Sequence, residues 1–151
     1  MESKQIILSG SYQDTYDLGV NVAENLKSGK YGHRRVVCLR GILGSGKTVF
    51  VKGFLEGYGV SSRILSPTFT ISRMYEIQNR ILWHYDLYRM KDASEVIAIG
   101  IKEVLSDETT IVLIEWAEKI QELLPQTRID IYLDVTGDSS RKIEVHVLGN
   151  I

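Results

Sequence analysis

The sequence has few cysteines and few prolines, and both shortages exclude classes of protein. One cysteine among 151 residues cannot form a disulfide framework or a multi-cysteine metal site within one chain. Cys38 lies in an apolar run, where a buried structural thiol is expected. Two prolines, with 44% hydrophobic and 25% charged residues, indicate a folded globular chain rather than a disordered tail or a fibrous repeat.

The sequence also has little net charge and no long apolar segment. Its 18 lysines and arginines nearly balance 19 aspartates and glutamates, so contact with nucleic acid would need a local basic patch or a partner protein. Nowhere do eighteen apolar residues follow one another, and the apolar run in "MESKQIILSG" is too short for a signal peptide. We therefore expect a cytoplasmic protein with a single domain over 1–151 and no membrane contact.

The order of local patterns predicts an α/β fold. Strand patterns occupy 4–9, 35–39, 64–77, 79–90, 109–118, 128–135 and 141–149. Helical spacing covers 15–27, behind a capping sequence at 11–14, and then 47–59, 92–105 and 118–124. Continuous apolar strands are typical of parallel pairing, whereas the turns at 78–80 and 136–140 favour antiparallel hairpins. We predict a P-loop NTPase-type three-layer sandwich, whose mixed sheet has parallel central strands and antiparallel flanking strands.

A glycine-rich turn, "RGILGSGKTVF", follows the strand pattern "RRVVCL" and precedes a helical pattern. Gly41, Gly46, Lys47 and Thr48 fit the phosphate-binding motif G-x-x-x-x-G-K-[ST] at every fixed position. Its amides and the helix N-terminus can hold a polyphosphate, and Gly44 and Gly46 let these amides turn inward. In this motif the lysine lies near the β- and γ-phosphates, and the threonine hydroxyl binds Mg²⁺. The alternative is a bare connector with a solvated lysine.

Two acidic residues are candidates for the metal and the attacking water. Glu115 follows four apolar residues in "IVLIEW", as a Walker B acid does, although an exposed acid at a strand end would give the same pattern. Asp86 lies in "WHYDLYR", where a carboxylate is costly unless it is used or paired, for instance with Arg89. Its functional role would be to orient or activate water, or to bind the outer shell of the metal.

Further candidates lie outside the glycine-rich turn. Thr68 in "SPTF" is placed to sense the γ-phosphate, although a plain turn before a strand fits equally well. Trp116 can stack on a base or a partner, or pack in the core. His84 is expected to pack rather than catalyse, and Arg141 with Lys142 is either near the nucleotide or a solvated pair.

Two motifs that the sequence lacks indicate which nucleotide is bound and which reaction it serves. No asparagine-lysine-x-aspartate base reader occurs, so ATP is favoured over GTP. No arginine-rich lid is evident, and such a lid is expected of a small-molecule kinase. Three functions stay open at this point: an ATPase, a nucleotide-dependent switch or binding module in which hydrolysis is incidental, and a small kinase.

The motifs together resemble one family. "GILGSGKT", "SPTF", "WHYDLYRM", "E…IGIKEVL" and "LIEWAE" have the order and spacing of the bacterial tRNA threonylcarbamoyladenosine biosynthesis ATPases, the TsaE or YjeE family, over about 4–147. The resemblance implies ATP and Mg²⁺ as cofactors, and TsaD and TsaB as protein partners. It also implies a supporting role in threonylcarbamoyl modification of the adenosine next to the anticodon in certain tRNAs, with tRNA contacted indirectly. By the same resemblance, hydrolysis resets the partner assembly and is weak in the isolated protein.

The same resemblance assigns roles to residues of this chain. Lys47, Asp86 and Glu115 become the catalytic candidates, and Thr48 and Glu115 the magnesium ligands. The nucleotide-binding set it implies is Gly41, Leu43, Gly44, Ser45, Gly46, Lys47, Thr48, Val49, Thr68, Trp116, Ser11 and Arg141. Ile42, Ser45 and Ala117 depart from the family's usual aspartate, alanine and proline, but these departures remove no phosphate or metal ligand.

Overall fold

The computed structural model describes residues 2–61 and 70–149, and seven strands of this part pair into one sheet. The strands are β1 (Ser3–Ser9), β2 (Val36–Arg40), β3 (Ser72–Ile77), β4 (Arg80–Asp86), β5 (Thr110–Glu115), β6 (Arg128–Val135) and β7 (Arg141–Leu148). The helices are α1 (Tyr12–Lys27), α2 (Lys47–Tyr58), α3 (Ala93–Ala98), α4 (Ile101–Ser106) and a 3₁₀ helix at Ala117–Leu123. The predicted "SPTF" segment, including Thr68, lies outside the described residues.

The sheet has a parallel centre and antiparallel flanks. The strand order is β1-β7-β6-β2-β5-β4-β3; β6, β2, β5 and β4 run parallel, whereas β1, β7 and β3 pair antiparallel. Every residue of β5 is buried, as the continuous apolar run predicts for a strand covered on both faces. The predicted mixed sheet is confirmed, and its carboxyl-terminal edge gathers the ends of β2, β4 and β5.

Two hydrophobic cores lie on opposite faces of the sheet. Val37 and Leu39 of β2 pack into the core that contains α1 and α2, whereas their neighbours Val36 and Cys38 face α3, α4 and the 3₁₀ helix. This division follows from the alternation of side chains along a strand. Helices therefore cover both faces of the sheet and make three layers.

The structure differs from the predicted elements in the segment after β4. The single helix predicted over 92–105 is wrong, because two short helices, α3 and α4, occupy it. Gly100 separates them with φ of 89°, a left-handed conformation that glycine adopts without strain and that cannot continue a helix. Asp92 caps the first of the two helices by accepting a hydrogen bond from the Glu95 N–H.

Across 2–61 and 70–149, no helix combines the length and the apolar character that a membrane span requires.

Candidate functional site

The glycine-rich turn connects the carboxyl end of β2 to the first residue of α2, as the motif requires. Gly44 and Gly46 have φ of 80° and 105°, which is the left-handed region that favours glycine. A Cβ on Gly41 would lie 2.5 Å from Ser45 Oγ and 2.7 Å from the Leu133 carbonyl oxygen. Each of the three glycines of the turn therefore has a backbone or packing reason to be glycine. Binding of phosphate by the turn stays a prediction.

The Lys47 side chain folds back over this loop. Its Nζ donates hydrogen bonds to the carbonyl oxygens of Gly41 at 2.5 Å and Ile42 at 2.9 Å, and the residue is only 6% exposed. Burial lowers the pKa of the Lys47 ammonium, while the negative charges of Glu115, Glu118 and Asp86 act in the opposite direction. The lysine is therefore a buried cation whose charged form is favoured by three carboxylates.

Asp86 and Glu115 lie side by side at the ends of neighbouring parallel strands. They are register partners in the β4–β5 pair, and they are 9% and 3% exposed. The Tyr88 N–H donates to Asp86 Oδ1 at 3.1 Å, which fixes this carboxylate at the strand end. Glu115 is buried, so the alternative of an exposed acid at a strand end does not hold for it.

His84 contacts the site although the sequence pointed only to a packing role. Its Nε2 lies 2.7 Å from Glu115 Oε2, and the histidine is 2% exposed. The signal that could have found it is its spacing: His84 and Asp86 are two residues apart on one strand and therefore share a face. This contact depends on β4–β5 pairing, which the sequence does not specify residue by residue.

Trp116 covers Lys47 rather than lying wholly in the core. The lysine Nζ is 4.1 Å from the centre of the half-buried Trp116 ring, within range of a cation–π interaction. The Tyr88 ring packs at 5.1 Å from the same ring. Trp116 has φ of 61°, a left-handed conformation that ends β5 and turns its side chain toward the loop.

Arg141 contacts the loop backbone, whereas the described contacts of Ser11 lie at the start of α1. Ser11 caps α1, its hydroxyl oxygen accepting from the Asp14 N–H at 3.1 Å, as the capping sequence predicts. The Arg141 guanidinium donates to the carbonyl oxygens of Ser45 at 2.9 Å and Gly44 at 3.1 Å. Arg141 is therefore a brace of the loop backbone, and contact of either residue with a base or ribose stays a prediction.

The remaining loop residues differ in exposure. Thr48 is exposed in the first turn of α2, next to Lys47, and Val49 is half-buried. Leu43, at the tip of the loop, is 70% exposed. The Thr48 hydroxyl and the two strand-end carboxylates are oxygen donors, which Mg²⁺ prefers; it commonly binds through one or two carboxylates together with substrate phosphates. The donor set at this edge of the sheet therefore fits Mg²⁺.

Comparison with known proteins gives a consistent set of relatives. A family model described as "Threonylcarbamoyl adenosine biosynthesis protein TsaE" matches residues 9–143. The tRNA threonylcarbamoyladenosine biosynthesis protein TsaE of Bacillus subtilis is 44% identical over 76% of this chain and 71% of its own length. Its counterpart in Treponema pallidum is 38% identical over 91% of this chain and 97% of its own length. The crystal structure of Bacillus subtilis YdiB superposes with a TM-score of 0.76 and 32% identity, over 99% of this chain and 89% of that one.

Proposed function

The chain belongs to the TsaE family, whose members take part in biosynthesis of threonylcarbamoyladenosine in tRNA, and we propose that it serves this modification as a Mg²⁺-dependent ATPase. The observation that carries the proposal is the shared edge of the parallel strands. There the loop after β2 with Lys47, the end of β4 with Asp86 and the end of β5 with Glu115 are adjacent. Phosphoryl transfer needs a phosphate cradle, a metal site and a group that positions water, and one residue set can supply each.

Each residue has a distinct role in the proposed reaction. Loop amides and the Lys47 ammonium bind the phosphates, and Thr48 and Glu115 hold Mg²⁺, which neutralises charge on the phosphates when bound. Asp86 orients a water molecule and accepts its proton. The water oxygen bonds to the γ-phosphorus as the bond to the oxygen bridging the β- and γ-phosphates breaks, and this releases ADP and inorganic phosphate.

The proposed partners are the TsaD and TsaB proteins. This chain would support their reaction without forming the carbamoyl bond, and it would meet tRNA only through the complex. The support for this assignment is family membership, because the matched relatives are tRNA threonylcarbamoyladenosine biosynthesis proteins. The near-neutral charge of the chain agrees with indirect tRNA contact.

The test separates nucleotide binding from hydrolysis. Lys47→Ala and Thr48→Ala should weaken ATP binding or its magnesium dependence, whereas Asp86→Asn should bind ATP and lose turnover. Lys52→Ala, on the exposed face of the same helix, is the matched control and should behave as the wild type. Unchanged ATP affinity and magnesium dependence in both loop variants would refute the site. If Asp86→Asn still supports many rounds of tRNA modification, ATP acts as a switch and hydrolysis is incidental.

A further inference from the structure

His84 and Glu115 form a hydrogen bond inside the protein, next to the proposed magnesium site. The atoms His84 Nε2 and Glu115 Oε2 are 2.7 Å apart, and both residues are almost fully buried. With Glu115 as a carboxylate, which has no proton to donate, the Nε2–H of the ring is the donor. One of the two Glu115 oxygens therefore has a fixed partner within the sheet.

The contact runs diagonally across two parallel strands. Asp86 is the register partner of Glu115, and His84 is the partner of Leu113, one step back along the same face. His84 therefore reaches the carboxylate from the interior of the sheet, while Asp86 and the glycine-rich loop lie at the sheet's edge. The ring approaches Glu115 from behind the proposed nucleotide site.

We propose that His84 is a positioning residue for Glu115: its imidazole holds one carboxylate oxygen and so keeps the other available to magnesium or to its water. The inference rests on the proposed function, since it concerns the same metal site. Groups hydrogen-bonded to a metal ligand fix the ligand's orientation, and their loss commonly costs 10- to 100-fold in metal affinity.

Packing alone does not account for a histidine at this position. The ring's other nitrogen, Nδ1, is buried and has no hydrogen-bond partner in the part of the chain that the structure describes. An apolar side chain of similar size would fill the space without leaving a polar atom unpaired. The hydrogen bond to Glu115 is the interaction that an apolar side chain could not provide.

Two amide variants test the role by differing only in reach. In His84→Gln the amide nitrogen can occupy the place of Nε2, whereas in His84→Asn it is one methylene too short. The readout is binding of a fluorescent ATP analogue as magnesium is added, compared with binding of the same analogue in EDTA. His84→Asn should need about tenfold more magnesium for half-maximal binding, with binding in EDTA unchanged, and His84→Gln should stay near the wild type.

A second histidine–glutamate pair supplies the matched control. His146 Nε2 lies 3.1 Å from Glu144 Oε2 on β7, so His146→Asn should leave the magnesium dependence unchanged. The proposal is overturned if His84→Asn has the magnesium dependence of the wild type, or if both amide variants need equally more magnesium for half-maximal binding. It is also overturned if His84→Asn unfolds, or loses binding in EDTA, while His84→Gln does not. Failure of the wild type itself to bind the analogue with magnesium would instead overturn the proposed function.

Discussion

Lys47 illustrates how one residue can be buried and still be suited to bind an anion. Its ammonium donates to the loop carbonyls of Gly41 and Ile42 and lies against the Trp116 ring, so much of its hydration is replaced by protein contacts. Burial lowers the pKa of this ammonium, so Lys47 is easier to deprotonate than an exposed lysine. An arriving phosphate favours the charged form, so binding and protonation of Lys47 are coupled.

This coupling predicts how nucleotide affinity depends on pH. The pKa of free Lys47 is lowered from its ordinary value near 10.5, and bound phosphate raises it again. Binding therefore takes up a proton once the pH exceeds the lowered pKa, and affinity falls from that pH upward; below it, affinity is independent of this group. Titration calorimetry across the alkaline range, on protein shown to be folded by circular dichroism, measures the effect. In Lys47→Arg the charge persists, so an equal fall in that variant would contradict the coupling.

Arg141 offers a second prediction at the scale of a residue. Because its guanidinium donates to the carbonyls of Gly44 and Ser45, it restrains the backbone whose amides would bind the phosphates in the proposed function. We expect Arg141→Met to lower nucleotide affinity by about 3- to 10-fold, measured by equilibrium titration. Lys142→Met removes the neighbouring cation, whose side chain is 43% exposed and pairs with Glu144, and should change affinity little. Equal losses in both variants would indicate a general charge effect and not a brace.

Sequence and structure agree on residues whose role is local, and differ where contact depends on pairing. The spacing of Gly41, Gly46 and Lys47 specifies the loop because all three lie in one short segment. The contact between His84 and Glu115 joins residues of different strands, so it follows from the register of β4 against β5. A single sequence does not determine that register.

Among the elements, α1 and α2 approach so closely that their backbones touch through glycines. A Cβ on Gly53 would lie 2.0 Å from the Tyr16 carbonyl oxygen, and one on Gly19 would lie 2.2 Å from the Phe50 carbonyl oxygen. Glycine in a helix interior usually costs stability relative to alanine, but here it permits the approach. Because α2 begins at Lys47, this packing also fixes the helix N-terminus at the glycine-rich loop.

The close approach gives a prediction of unusual sign. Gly53→Ala should lower the free energy of unfolding by about 2 kcal/mol, because the helices must separate, although alanine favours an isolated helix. Equilibrium unfolding in urea measures this change in the free energy of unfolding. Lys52→Ala, one residue earlier on the exposed face, should change stability by less than about 0.5 kcal/mol. If Gly53→Ala is as stable as the wild type, the two helices lie farther apart at Gly53 than the 2.0 Å between a Cβ there and the Tyr16 carbonyl oxygen implies.

Element boundaries show where a sequence pattern stops being informative. β6 is found at the predicted residues because its alternation and flanking turn are both strong. The segment 92–105 was predicted as one helix because its apolar spacing continues through Gly100, but the left-handed backbone there divides it. The periodicity of apolar residues does not reveal such a break, because a glycine leaves the spacing of the apolar side chains unchanged.

At the scale of the whole molecule, the parallel centre of the sheet unites the candidate site. Residues from β2, β4 and β5 come from distant parts of the sequence, yet their carboxyl ends share one edge. Ligands of open α/β sheets bind at this edge. The sequence predicts a mixed sheet with parallel central strands, and in that architecture the glycine-rich loop lies beside the acidic residues at the strand ends.

Hydrolysis is tested by measuring the inorganic phosphate that this protein releases from ATP with Mg²⁺, first alone and then with TsaB, TsaD and tRNA. We predict slow release by the isolated protein, faster release when both partners are added, and loss of the increase with Asp86→Asn. No phosphate release by the wild-type protein in any mixture would contradict the proposal that the chain is an ATPase of tRNA threonylcarbamoyladenosine biosynthesis.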